Sequence, residues 1–355
     1  MPPGQTLQAN RPTVEVGGQP QAALTNNLLR MTAVENAAGV HRCEASFNNW
    51  GTVGIGRGAT QGFLYFDRAL LDFGKRVVIK LASGTIIDGV ITALGANFPS
   101  GGAPEISVVV EDRYRDLRLV RRTRTFQDVT ASDIARQVAN DYGLNLTCDL
   151  QGPTYKAVTQ LNQSDLEFLR VRARLCDAEL RLLSQQLYLK SRANSGAEAL
   201  QLSLGSTLTS FDVVADTTAQ ATTVSAIVWD VASKSAKTAS AGVSTLGSQL
   251  RGGSSGAQEV GRAFGQRNVN VPVAWADPQS QSNALFRGEA QRFVVGHATA
   301  GADAHIAVGS MIRLASLGPL FSGIYYVSEV NHTFDQQAGA ITKFTVESPA
   351  LGQTQ

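Results

Sequence analysis

The chain of 355 residues has only three cysteines, Cys43, Cys148 and Cys176, an odd number set far apart. That excludes a disulfide framework and a zinc site built on paired CxxC motifs, and leaves buried, reduced thiols as the reading. No apolar run approaches the ~20 residues of a membrane span, so no membrane insertion is expected. The N-terminus, Met1-Pro-Pro-Gly-Gln, lacks the basic and apolar regions of a signal peptide, and synthesis in a cytoplasm is the expectation. Excess charge is missing too. A formal net charge of +2 argues against a nucleic-acid binder, which shows a clustered basic face. Aromatic residues are scarce at 7% while glycine is abundant at 34, a balance that suits turn-rich β structure.

The length suggests two or three domains, at ~150 residues each, able to bury a core without staples. One β-unit occurs twice. The later copy starts Gly309-Ser-Met-Ile312-Arg-Leu314, passes Ser322-Gly323 into a strand over 324–334, and returns as Thr342-Lys-Phe344-Thr-Val346-Glu347. The earlier copy starts Gly74-Lys-Arg-Val77-Val-Ile79, passes Asp88-Gly89 into a strand over 90–94, and returns as Ile106-Ser-Val108-Val-Val110-Glu111. In both, apolar residues follow the first glycine at +3 and +5, and a second glycine comes 15 or 14 residues after the first. The spacing reads as two three-stranded meanders of one kind.

Along the chain, residues 1–12 read as a loose arm, and Thr13–Val16 as a strand closed by Gly17-Gly18. Over 40–47, His41, Cys43, Ala45 and Phe47 alternate with Arg42, Glu44 and Ser46, a strand with one buried face. His41 reads as a satisfied core or interface histidine. Gly54-Ile-Gly56-Arg-Gly58 lacks the following Lys-Ser/Thr and helix of a phosphate loop, and reads as a connection. The basic run Arg113, Arg115, Arg118, Arg121, Arg122, Arg124 reads as a solvated strand edge or an ion-pair surface between subunits.

The period then changes from two to 3.6. Thr130 and Asp133 fit a capping box, Ile134, Val138 and Tyr142 form a stripe, and Gly143 closes the helix. A second box, Ser164 and Glu167, opens a helix with the stripe Leu166, Leu169, Ala173, Cys176, leaving Arg170, Arg172 and Arg174 off it. Strands return at 200–204, 211–214 and 224–229. Residues 231–268, mostly Ala, Ser and Gly, read as a flexible excursion with a short helix around 258–264. Residues 278–292 read as a helix with Ala284, Leu285 and Ala290 inward.

This order of elements resembles the phage late control protein D family, the central baseplate hub of contractile tails. Four passages carry the likeness: the run from Phe126 through Asp133-Ile134 to Gly143-Leu144; Gln163-Ser-Asp165-Leu-Glu-Phe-Leu169-Arg170; Val224-Ser-Ala-Ile-Val-Trp229-Asp230; and Tyr326-Val-Ser-Glu-Val330-Asn-His332-Thr-Phe334-Asp335 with Ile341-Thr-Lys-Phe344. The same module opens the valine–glycine-repeat spike proteins of type VI secretion. Those continue into a barrel and a needle, and with Gln355 as the last residue here the spike is expected as a separate polypeptide.

The resemblance implies a mainly β fold with an inserted α+β domain, and two tube-like β-barrel domains per chain forming a pseudo-sixfold ring in a homotrimer. The expected division is a first barrel over 1–112 completed by 200–230, an inserted domain over 113–199, the excursion over 231–268, and a second barrel over 269–355. The function it implies is that of a structural hub in the baseplate of a phage tail or phage-tail-like injection particle, joining a sixfold tube to a threefold spike and lining the channel. The implied partners are further copies of itself, a separate spike protein, a tail tube or tube-initiator protein and the tape measure, with nucleic acid only as cargo in the channel. No cofactor, metal or catalytic residue is implied.

The alternative is a cell-wall-degrading enzyme associated with the hub, or an effector-carrying spike component. A glycosidase needs two carboxylates across a cleft, and Asp165 and Glu167 are the nearest pair, although residues two apart on a helix diverge. The closing hairpin is the other candidate site. A five-residue loop, Asp335 to Gly339, sets Phe334 opposite Ala340, His332 opposite Thr342, Val330 opposite Phe344 and Ser328 opposite Val346. Val330, Phe334, Phe344 and Val346 then share a core face. Tyr325, Val327, Glu329, Asn331, Lys343 and Glu347 share the more polar one.

Overall fold

The computed structural model describes residues 11–37, 41–54, 59–150, 152–183, 185–192, 198–230, 233–273 and 277–353. Strand dominates, as expected of a mainly β fold. The chain divides into two compact units: Met1–Arg115 with Thr299–Val308 and Glu329–Phe344, and Asp116–Ala298 with Gly309–Ser328 and Thr345–Gln355.

In the first unit an antiparallel sheet runs in the order Glu329–Asp335 (end of strand Gly323–Asp335), Leu28–Asn36, His41–Asn48, Glu105–Glu111, Gly84–Asn97, Arg76–Leu81, Thr13–Val16, Gln19–Pro20. The turn between the last two uses Gly17 and Gly18 at φ +60° and +80°, the two left-handed residues a tight hairpin turn requires. Cys43, Ala45 and Phe47 lie in the core with Val14, Leu28, Met31, Ile79, Ile91, Val108 and Val110, while Arg42 and Glu44 are exposed. The period of two therefore has its physical cause in one buried sheet face. Asn49 is fully buried, and its Oδ1 accepts from the amides of Leu64 (3.0 Å) and Tyr65 (2.7 Å). That anchors the base of a separate two-stranded ribbon, Trp50–Val53 and Thr60–Phe63. The glycine run between these strands leads into a strand, not a helix; Ile55 to Gly58 of it lie outside the described residues.

In the second unit, Leu208–Ala215, Val294–Gly301, Gly339–Ser348, Gly323–Asp335, Met311–Ala315 and Glu198–Ser203 follow one another in the sheet, each contributing the residues that fall in this unit. The last pair is parallel. The Phe211 ring occupies the space a Cβ on Gly296 would need, and meets Tyr325 edge to face at 5.8 Å. The α+β layer contains the two helices expected of it, with a strand between them, Tyr155–Ser164, that the sequence pattern did not announce. Strands Arg121–Val129 and Tyr155–Ser164 pair antiparallel, helices Ala131–Asp141 and Asp165–Leu175 follow them, and Asn145–Cys148, Gln186–Ser191 and Ala178–Leu183 make a second small sheet. Ile134, Val138, Phe126, Val158, Phe168 and Leu169 are among its buried residues.

Three expectations change. Residues 200–230 do not complete the first unit; 299–308 and 329–344 do. The cause is a ladder of high sequence separation, Glu329–Asp335 against Arg30–Asn36, that no local pattern announces. The described residues of 113–199 hold an α+β layer, but from Asp116 onward they belong to the same unit as residues 200–298. The stretch read as a flexible excursion holds strand Ser235–Gly242, paired with Thr223–Asp230, which also pairs Asn268–Pro272, and helix Gly256–Phe264. Its small residues are an asset there. Ala241, Leu246 and Ala257 close a core with Val224, Phe286 and Ala290, where helix Pro278–Ala290 lies against the sheet. Among the described residues no helix is long and apolar enough to cross a membrane.

Candidate functional site

The repeat is realised in hydrogen bonds. Gly74 and Gly309 both adopt left-handed backbone, φ +75° and +85°. Gly74 N–H donates to Ile91 O (2.9 Å) and Ile91 N–H donates back to Lys75 O (3.0 Å). Gly309 N–H donates to Val327 O (2.9 Å) and Val327 N–H donates back to Ser310 O (3.0 Å). In each copy the residues at +3 and +5 are buried: Val77 and Ile79, Ile312 and Leu314. The second glycines are not equivalent. Gly323 faces Leu314 where its strand begins. Gly89 faces Val77 in the middle of strand Gly84–Asn97, where a Cβ would come 2.3 Å from Glu111 O. The motif that counts is the first glycine with its reciprocal bond pair.

In the closing hairpin Gly339 has the positive φ (+79°) that its place in the loop requires. His332 Nδ1 lies 2.8 Å from Thr342 Oγ1, as their opposition demands. Val330, Phe334, Phe344 and Val346 are all buried. Glu329 and Lys343 are exposed, but Tyr325, Val327 and Glu347 are buried as well. Residues up to Ser328 and from Thr345 belong to the second unit, which covers them. Glu347 pairs there with Arg192 (2.5 Å), which also pairs Glu179 and lies over the Tyr326 ring at 4.4 Å. Burial opposes the charge on Arg192, but the two carboxylates outweigh it and hold its pKa above the ordinary value.

Two buried or half-buried histidines of the first unit part ways. His41 Nδ1 is 3.1 Å from Asp112 Oδ2 and its Nε2 3.0 Å from Ile86 O, a satisfied histidine as expected. Burial works against its charge, yet the Asp112 hydrogen bond and the nearby Glu35 leave its pKa raised. Burial, helped by the neighbouring His41, pushes His332 down to about 4.

Thr130 and Asp133 cap helix Ala131–Asp141 reciprocally. Ser164 accepts from the Glu167 amide, but the Glu167 carboxylate turns to Arg121 (3.7 Å), so that box is only half made. Asp165 is the residue the sequence reading undervalued. Wholly buried, it pairs Arg122 (3.0 Å) and Arg124 (2.8 Å) and accepts from Tyr142 Oη (2.8 Å) and Gln160 Nε2 (2.9 Å). The basic run is thus partly an internal ion-pair network, and Asp165 and Glu167 face different partners. Arg172, placed off the apolar stripe, is buried over the Phe168 ring at 5.5 Å. Among the described residues no group of three or more His, Cys, Asp or Glu side chains is arranged to hold a metal ion. A cleft of ≈ 140 Å³ lined by Arg192, Gln249, Arg251, Gln291 and Tyr326 is well below the ~300 Å³ of a substrate pocket.

A family model described as the Alg8 N-terminal domain matches residues 56–336, well over half of the chain. No protein of curated function matches the sequence. Solved structures do match. The 43 kDa tail protein of prophage MuSo2 from Shewanella oneidensis has TM-score 0.67 at 12% identity, with 96% of this chain and 98% of that one covered. A tail protein from Neisseria meningitidis MC58 has TM-score 0.67 at 11% identity, covering 96% and 97%. The Escherichia coli c3393 protein is a type VI secretion component with structural similarity to T4 bacteriophage tail proteins gp27 and gp5. It has TM-score 0.58 at 13% identity, covering 96% and 79%. At such identity the likeness is one of fold, the fold of phage tail proteins and of a type VI secretion component, in agreement with the family resemblance seen in the sequence.

Proposed function

We propose, for a chain that belongs to the Alg8 N-terminal domain family and has the fold of phage tail proteins, a structural role as the hub of a baseplate in a phage tail or phage-tail-like particle. Three copies close a ring. Each chain supplies two tube-like units built on the same meander, so the ring offers six similar units to a tail tube and stays threefold for a separate spike. The observation that carries this reading is the repeated left-handed glycine with its reciprocal bond pair at Gly74 and Gly309. A tube or tube-initiator protein and a tape measure meet one side of the ring, the spike the other, and nucleic acid passes only as cargo. Closing a ring also covers sheet edges that a lone chain leaves open.

The enzymatic alternative has no observation in its favour, since Asp165 is held by two arginines and Glu167 points elsewhere. Native mass measurement of the chain, alone and with its spike, tests the hub reading: three copies are expected. A monomer at micromolar concentration in both samples would sink it. Release of fragments from peptidoglycan by the pure chain would instead support the enzyme.

A further inference from the structure

The first unit carries an exposed aromatic cluster that does not belong to its core. Trp50, Phe63 and Phe98 are 40%, 47% and 63% exposed, and Val53 beside them 40%. Their rings pack on one another and on Phe66: Trp50 to Phe63 at 5.3 Å, Phe63 to Phe66 at 4.9 Å, Phe66 to Phe98 at 5.8 Å. The segments that bear them are almost free of charge. Gly89 to Pro104 has no charged residue, and Ser46 to Phe66 has only Arg57. With an aromatic side chain at about 150–250 Å², the exposed part amounts to roughly 300 Å², the size at which a surface patch on a monomer is often functional.

The second unit carries a surface of matching character. Strands Arg121–Val129 and Tyr155–Ser164 form a two-stranded ribbon whose inner face buries Phe126, Val158 and Gln160. Its outer face presents Thr123, Thr125, Gln127, Ala157, Thr159 and Leu161, all exposed and uncharged, Leu161 by 68%, with Arg121 at one end of the ribbon and the Lys156–Asp128 pair at the other. Three other exposed large apolar side chains sit among charges. Trp229 neighbours the Asp230–Lys237 pair, Phe73 lies beneath the Arg68 guanidinium at 5.7 Å, and Phe264 closes the helix that holds the Glu259–Arg262 pair.

We propose that the aromatic cluster of one copy seats on the threonine and leucine face of the ribbon of the next copy. This rests on the homotrimer reading. A cyclic trimer is held by a heterologous contact, which requires two different complementary patches on one chain. The central side chains of both patches are uncharged, and the charges at the ribbon's ends, Arg121 with Glu167 and Lys156 with Asp128, are paired within their own chain, so bringing the patches together strands no ion. Threonine methyls and Leu161 give flat apolar seats for the rings, and aromatic anchors of this kind dominate interface energetics.

The test uses the full chain. In the double variant Phe63→Cys with Leu161→Cys, mild oxidation is expected to give covalent two- and three-copy species, absent from either single variant and from the unaltered chain. Phe63→Lys and, separately, Thr125→Lys are expected to raise the trimer's dissociation concentration by about tenfold or more while leaving the thermal unfolding of the monomer in place, whereas Trp229→Lys leaves the trimer intact. A trimeric unaltered chain whose double variant gives no ladder, and whose lysine variants still assemble, overturns this contact and leaves the ring standing. A monomeric unaltered chain removes the ring and the contact together.

Discussion

Val330 and its neighbour Asn331 differ in what surrounds them. Val330 is fully buried, and Val330→Asp places an unpaired charge among apolar side chains. A loss of several kcal/mol is expected, seen as loss of soluble folded protein. Asn331 lies on the face read as polar, where a change to aspartate looks harmless. The structure revises that reading, because its Oδ1 is buried without a hydrogen-bond partner. Asn331→Asp puts a carboxylate oxygen in that place, and a cost of about 1–3 kcal/mol is expected in urea unfolding. A cost below about 0.5 kcal/mol would place the side chain in solvent after all. His332 gives a pH dependence. Its folded pKa of about 4 lies below the unfolded value of roughly 6.5, so as the pH falls through that window the unfolded chain takes up a proton the folded one does not. Stability from this group is complete above about pH 6.5 and is lost toward pH 4, by on the order of 3 kcal/mol. His41, with its raised pKa, acts in the opposite sense: its contribution is complete below its unfolded value and is lost as the pH rises through the folded one. His332→Gln should therefore shrink the drop in melting temperature between pH 7 and pH 4.5. An unchanged drop would mean that another group carries it.

Among the elements, the two meanders make the sharpest prediction. Gly74→Ala and Gly309→Ala both force a left-handed Cβ, and about 1–2 kcal/mol is expected from each. Gly309 should cost the more, since its Cβ would meet the Arg181 side chain at 3.3 Å while that of Gly74 meets open space. If one substitution is neutral, the two glycines do not share a role. Helix ends were legible in advance where the signal is local. The box at Thr130 and Asp133 is made, and Gly143 closes its helix at φ +61°. The box at Ser255 and Gln258 carries the same signal, and it starts helix Gly256–Phe264 two residues ahead of the stretch 258–264. Arg172 was misplaced because periodicity assigns a face from polarity, and a guanidinium over an aromatic ring is buried without being apolar.

At the scale of the molecule, the first unit is assembled from three segments of the chain. Coexpressed as two pieces, 1–115 and 116–355, the protein should purify as one complex, because strand Leu28–Asn36 pairs with Glu329–Asp335 of the other piece. Independent migration of the pieces in gel filtration would contradict that pairing. By itself the sequence determined the mainly β class, the switch to an α+β layer at Thr130, the hairpin face of Val330, Phe334, Phe344 and Val346, and the existence of a repeated unit. Each of these rests on interactions within a few residues or within one strand pair, so spacing alone encodes it. Only the tertiary structure decided that 299–308 and 329–344 complete the first unit, that 233–268 is built rather than loose, that Asp165 anchors the basic run, and that Gly89 is not the partner of Gly323. Those outcomes depend on which distant strand supplies a ladder or a buried counter-charge, and a residue's own neighbours in sequence carry no record of that choice.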